Sequence, residues 1–339
     1  MNLSGSSIND RDTIAKEEFG QKSYYNDYSV DAMQFINSVD QTPFYRVSKT
    51  YSSGGAMHAS LNDAKVQGFY GTRSYHSFHH PHYIGFLGAV GLIDPTVESQ
   101  TRWTPGLGSR QLLNVMASNK YILSKSDQEW VGHGYAPVHT VGDVTVHQNQ
   151  NFIPFGFTYS RILPRSAFDS LGWLEKDISL INAAVIADED MPFFSSLDEF
   201  DPVSITSNYA PEMLAKDARE LAAVSLNIRA FSNGDISGDI VADRDRVLFF
   251  SMPLDRGWKA TMDGRDAVLF NVNAGLTGLF LPAGEHKVVL SYSVPYLQEG
   301  LWLSSISFML FGGVIWRSRG RKKPMETAPP VLSESGKRH

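Results

Sequence analysis

The chain contains no cysteine in 339 residues. That absence removes disulfide frameworks, cysteine-ligated zinc, iron–sulfur clusters and thiol nucleophiles together. It leaves the redox compartment open, because a chain without thiols tolerates either condition. A dinucleotide fingerprint is also missing: Gly106-Leu107-Gly108 supplies only G-x-G before a helix start. No G-x-S-x-G occurs, so no nucleophile elbow can be read. The opening stretch MNLSGSSINDRDTIAKEEF has neither the apolar centre nor the small-residue cleavage pattern of an export signal. What is present is ordinary globular material. Hydrophobic residues make up 42% and charged residues 19%, which excludes a wholly disordered chain.

The net charge of −6 conceals an asymmetry. From Leu301 onward there are seven basic and two acidic residues, whereas residues 1–300 carry 23 basic and 34 acidic ones. An acidic body of −11 with a basic end of +5 argues against a nucleic-acid partner. One long uncharged run separates the two: Gly300 to Trp316, GLWLSSISFMLFGGVIW, followed by five cations in RSRGRKK. Its 17 residues are near the minimum for crossing a bilayer core of about 30 Å. Trp302 and Trp316 sit near its ends, where indoles favour the headgroup region, and the positive-inside rule puts the basic tail in the cytoplasm. Ser304, Ser305, Ser307, Gly312 and Gly313 suit close packing against other membrane helices. An extracytoplasmic body without an export signal points to the downstream part of a longer polytopic protein, or to a membrane partner that supplies the missing helices.

Along the chain, residues 1–29 read as a polar lead-in. Residues 30–165 read as one α/β domain: Val30, Met33, Ile36 and Val39 predict a short helix, and FYRVSKTY after Pro43 predicts a strand. Gln111 to Ala117 suits a helix and Lys120 to Ser124 a strand, while Gly142-Asp143 marks a two-residue hairpin. Residues 166–218 read as a helical connection, with Asp177 as the N-cap of DISLINAAVIA and a second helix after Pro211. The acidic stretch around Asp188-Glu189-Asp190 and Asp198-Glu199-Asp201 reads as a solvated surface loop. From Ala222 the period changes to two, and about seven short strands with Asn-Gly and Asp-Gly turns predict an antiparallel β-sandwich over 219–295. Residues 300–316 are expected to span the membrane and 317–339 to form the basic cytoplasmic tail. The fold class is therefore α+β, a mixed α/β domain followed by a β-sandwich and one transmembrane helix.

Few residues point to chemistry. His76, His79, His80 and His82 crowd together, but Pro81 breaks the run and no carboxylate lies within it, so packing is favoured over metal binding. Arg102 and Arg110 flank the glycine-rich loop before a helix and could hold an anion. Trp258, beside Gly257, could stack on a sugar ring. No catalytic residue and no cofactor is identified.

Several segments nonetheless carry a family resemblance. They are FYRV at Phe44, GFYGTRSYHSF from Gly68 and LLNVMASNKYILS from Leu112. More specific is the stretch from Leu248 to Phe308, with Gly257-Trp258, Asp263-Gly264, Gly284, His286, Tyr292, Pro295 and Gly300 before the apolar run. Together these resemble the YfhO family over about residues 40–316. The resemblance implies a bacterial polytopic membrane protein of GT-C-like glycosyltransferase architecture. Such a protein passes sugar from a polyprenyl-phosphate carrier to a cell-envelope polymer such as lipoteichoic acid. The family's catalytic acid lies between early membrane helices, so no catalytic residue carries over and the chain is expected to be inactive alone. A membrane-tethered carbohydrate-binding or scaffolding module without catalysis, with an envelope glycan as partner, is the alternative reading.

Overall fold

A computed structural model of the chain describes residues 22, 24–53, 59–125, 131–205 and 209–319. Most of the polar lead-in, and the basic tail from Gly320 onward, lie outside the described residues. The chain divides into two compact units, 1–292 and 293–339. Among the described residues the first unit holds both helices and sheets.

The first helix, α1 (Tyr28–Val39), starts where the Asp27 side chain accepts from the Ser29 backbone N–H at 3.0 Å. Ser29, Ala32, Met33 and Ile36 form its buried stripe, and Val39, expected on that stripe, is 60% exposed. There follow β1 (Arg46–Lys49), α2 (Asp63–Gln67), β2 (Ser74–Tyr75), α3 (Pro81–Ala89), α4 (Glu98–Arg102), β3 (Trp103–Thr104), α5 (Gln111–Met116), β4 (Asn119–Ser124), β5 (Tyr135–Val141) and β6 (Val144–Asn149). A four-stranded sheet forms in the order β1-β4-β6-β5, with β1 parallel to β4 and the other pairs antiparallel. As the sequence predicts, β5 and β6 join across Gly142-Asp143, where Gly142 takes a φ of 57°.

The chain continues through β7 (Phe157–Tyr159), β8 (Arg161–Pro164), α6 (Arg165–Asp169), α7 (Trp173–Asn182), β9 (Ala184–Ile186), β10 (Asp198–Glu199) and α8 (Pro211–Ala222). Here the local reading needs correction. Asp177 is not an N-cap: α7 starts at Trp173, because Glu175 Oε2 accepts from the Gly172 N–H at 2.7 Å and closes the first turn further upstream. Ala184–Ile186 leaves the helix as a fully buried strand, in line with its β-branched content. The acidic stretch is only partly a surface loop, since Phe194 and Phe200 within it are buried.

The remaining strands are β11 (Asn227–Phe231), β12 (Asp235–Ala242), β13 (Arg246–Pro253), β14 (Trp258–Met262), β15 (Arg265–Ala267), β16 (Phe270–Val272), β17 (Leu276–Leu281) and β18 (Gly284–Tyr292). They divide between two sheets. One is wholly antiparallel, in the order β11-β12-β18-β14-β15. The other is mixed and seven-stranded, β10-β8-β9-β16-β17-β13-β7, so it draws on segments from both sides of residues 166–218.

Alternation explains how these layers hold together. Leu248 and Phe250 of β13, with Leu279 and Leu281 of β17, share a core with Ile236, Ile240, Val288 and Leu290 of the five-stranded sheet. Val247 and Phe249, offset by one residue, join a second core with Leu113 and Met116 of α5, Ile178 and Leu180 of α7, and Leu221 of α8. Each of these large apolar side chains contributes about 1.5–3 kcal/mol by leaving water. A third core, containing Met33, Ile36, Val47, Leu123 and Val146, fastens α1 to the four-stranded sheet.

The second unit contains α9 (Leu297–Arg319), a helix of 23 residues. Its stretch Leu297–Ser318 is long and apolar enough to cross a membrane and is 0% buried within the structure. At ~1.5 Å per residue its length is about 35 Å, against a hydrocarbon core of about 30 Å. The helix thus extends the apolar run 300–316 at both ends.

Candidate functional site

The residues singled out around Trp258 fall in two places on the first unit. Trp258 pairs with Tyr292 across β14 and β18, their rings edge to face at 5.2 Å. Beside them Asp255 accepts from the Gly257 N–H at 2.6 Å and lies 2.8 Å from His80 Nε2. Burial alone would raise the Asp255 pKa, but the hydrogen bonds from Gly257 and His80 outweigh it and hold the carboxyl below its ordinary value. An open hollow of about 600 Å³ is lined here by His82, Asp255, Arg256, Trp258 and Lys259.

Asp263, Gly264, Gly284 and His286 form a separate group. Asp263 and Gly264 take φ of 54° and 79° in the turn between β14 and β15, the paired left-handed geometry of a type I′ hairpin. Asp263 accepts from the Lys287 N–H at 2.9 Å and lies 2.8 Å from His286 Nδ1. Those two interactions, the Lys287 N–H first, lower its pKa. Pro295 lies in the second unit, between β18 and α9.

The two arginines are engaged within the fold. Arg102 forms an ion pair with Glu98 one turn earlier in α4. Arg110 donates to both oxygens of Asp177, to the carbonyls of Val90 and Trp173, and lies over the Trp173 ring. Asp177, buried on α7, is therefore the partner of Arg110 and ties the glycine-rich loop to that helix.

The histidines do not converge. His76 and His79 are 5.8 Å apart by ring centroid, and His80 stacks on His82 at 5.6 Å. Among the described residues no group of three or more His, Asp or Glu side chains could hold a metal ion. His79 Nε2 lies 3.3 Å and 3.2 Å from the carbonyls of Ser74 and Arg102. Desolvation nevertheless keeps its pKa below the ordinary histidine value.

A better-enclosed cavity opens elsewhere, beside Thr72. This cleft of about 400 Å³ lies between β1, the loop from Thr72, and the start of α5, and Tyr135 of β5 closes one side. Its wall is rich in short hydrogen-bonding side chains: Ser48, Thr50, Thr72, Ser109, Gln111 and Asn114. Among the described residues the buried Tyr135 hydroxyl has no hydrogen-bond partner. Thr72 is fixed in place, its carbonyl accepting from Tyr83 Oη at 2.6 Å and its hydroxyl from the Leu107 N–H at 3.3 Å. A smaller cavity of about 250 Å³ shares Thr72 and is lined by Arg46, His79 and Tyr83. Lys49, on the cleft wall, is neutralised by Asp63 at 2.7 Å. Arg46 donates to the Ala117 carbonyl and to the Ser251 hydroxyl and carbonyl, at 2.6–2.7 Å, and lies over the Phe44 ring. Burial pushes its pKa down to about 10, so it stays charged at neutral pH.

The sequence of the Bacterial membrane protein YfhO family matches residues 4–210 and 200–304. The chain belongs to the YfhO family. No curated protein and no solved structure matches the chain. A membrane-protein family and a lipid-compatible α9 agree on association with a bilayer.

In this YfhO-family chain the cleft residues Ser48, Thr72, Gln111 and Tyr135 went unread as functional in the sequence. They lie in four separate segments and share no spacing. The one available signal was the resemblance of GFYGTRSYHSF and LLNVMASNKYILS, which brackets Thr72 and Asn114.

Proposed function

We propose that the chain forms the extracytoplasmic body and one membrane anchor of a polytopic, GT-C-like glycosyl-transfer machine, with the tail after α9 in the cytoplasm. The machine moves sugar from a polyprenyl-phosphate carrier to a cell-envelope polymer such as lipoteichoic acid. Its catalytic part lies in membrane helices that this body works with, and the body holds the glycan. The observation that carries the reading is the cleft beside Thr72. A wall of hydroxyl and amide groups closed on one side by Tyr135 suits the dense hydroxyls of a sugar, and its volume is in the range of small-ligand sites. The Trp258 hollow offers a second, open surface on which a longer glycan stacks.

Titration of the full chain in detergent micelles with envelope glycan fragments tests this. Saturable binding that Ser109→Trp abolishes by crowding the cleft supports it, and binding indifferent to that variant contradicts it. Residues 219–295 are not a suitable reagent, because β13, β16 and β17 share a sheet with β7–β10. The absence of cysteine makes topology directly testable. A membrane-impermeant maleimide should label Lys216→Cys, exposed on α8, in intact cells, and label Ser333→Cys only after permeabilisation.

A further inference from the structure

We infer that the cleft beside Thr72 selects an anionic sugar, with Arg73 receiving its phosphate or carboxylate; this rests on the reading that the cleft holds the glycan. Arg73 lines the cleft, yet among the described residues its guanidinium has no hydrogen bond or ion pair. Arg102, Arg110, Arg165, Arg229 and Arg246, by contrast, each pair with a carboxylate. Among the described residues the cleft has no Asp or Glu in its wall, and Asp63, which lines a second small cavity together with Arg73, is taken by Lys49. A neighbouring cavity that shares Thr72 is lined by Arg46, which is met among the described residues by carbonyl and hydroxyl dipoles and the face of Phe44. An anion bound in the cleft gives Arg73 the counter-ion that no carboxylate of the cleft wall supplies.

The geometry also supplies the remaining contacts. Arginine presents parallel N–H donors that match a phosphate or carboxylate in two-point fashion. Ser109 and Gln111 are placed for ring hydroxyls.

The experiment compares glucose, glucose 1-phosphate, glucuronate and inorganic phosphate, each titrated calorimetrically into the full chain in micelles. Glucose 1-phosphate or glucuronate should bind at least tenfold more tightly than glucose. The tighter of the two identifies the anionic group as phosphate or carboxylate, and binding of inorganic phosphate alone weaker than either supports a site that reads sugar and anion together. Arg73→Gln should abolish the preference with little change in Tm, since glutamine keeps the Cγ that packs at Gly106 and Arg73 forms no hydrogen bond or ion pair from its guanidinium among the described residues. Arg73→Lys should restore part of it. Equal affinity for glucose and the two anions overturns the inference while sparing the glycan-binding reading. Binding of none of the sugars overturns both. Retention of the anion preference in Arg73→Gln also overturns it.

Discussion

Asn273 joins three distant segments of the first unit, and replacing it should expose how cooperative that unit is. The residue sits fully buried at the turn between β16 and β17, with a φ of 51°. Its Oδ1 accepts from the Val185 N–H of β9 at 2.8 Å, and its Nδ2 donates to Tyr159 Oη of β7 at 3.1 Å. Tyr159 in turn donates to the Leu180 carbonyl of α7 at 2.7 Å. Asn273→Ala orphans the buried Val185 N–H, costing about 1–3 kcal/mol. Alanine in the left-handed region adds about 1–2 kcal/mol, a conformation asparagine tolerates better. The expected loss is about 2–5 kcal/mol. At about 2 °C per kcal/mol for a unit of this size, the Tm should fall by roughly 4–10 °C in one transition. Thermal and urea unfolding of the full chain, followed by circular dichroism, measure this. Tyr159→Phe should cost less, and the double variant should cost less than the two losses added, because the pair shares a bond. A loss under 1 kcal/mol, strict additivity, or separate unfolding of the 219–292 strands would refute the reasoning.

Three further outcomes are expected. Gly264→Ala should destabilise by about 1–2 kcal/mol through backbone strain alone, because its φ is 79° and nothing lies within 4 Å of an added Cβ; equilibrium unfolding checks it. Lys49→Met should cost about 3–5 kcal/mol, since Asp63, with a side chain 7% exposed, loses its cation partner; a urea midpoint equal to the parent's contradicts this. Burial, the largest influence on each, lowers the pKa of His79 and His82 in the fold. The unfolded chain therefore takes up those protons first, so this contribution to stability is full above about pH 6.5 and falls as the pH drops below it. The Tm should decline between pH 7.5 and 5.5, and the double variant His79→Gln/His82→Gln should flatten that decline.

Local features were legible in the sequence because their causes are local. The Gly142-Asp143 and Asp263-Gly264 turns demand positive φ from particular residues, and both hairpins formed. The apolar run from Gly300 announced α9 by length and composition. Partner choice was not legible. Period-2 alternation in β13 tells which side chains share a face, but not that β7 lies on one edge and β17 on the other. Arg110 read as an anion ligand because its nearby residues are loop-like, whereas its partner Asp177 is 67 residues away. The cleft failed to show for the same reason: hydroxyls and amides carry no period, and β1, α5 and β5 bring them together only in the folded chain.

The most direct test of the central claim is the glycan content of the envelope polymer in cells that depend on this chain. With protein levels matched by immunoblot, the parent sequence should support glycosylation of the polymer and the cleft-crowding Ser109→Trp should reduce it at least tenfold. Undiminished glycosylation with Ser109→Trp at equal abundance would contradict the account.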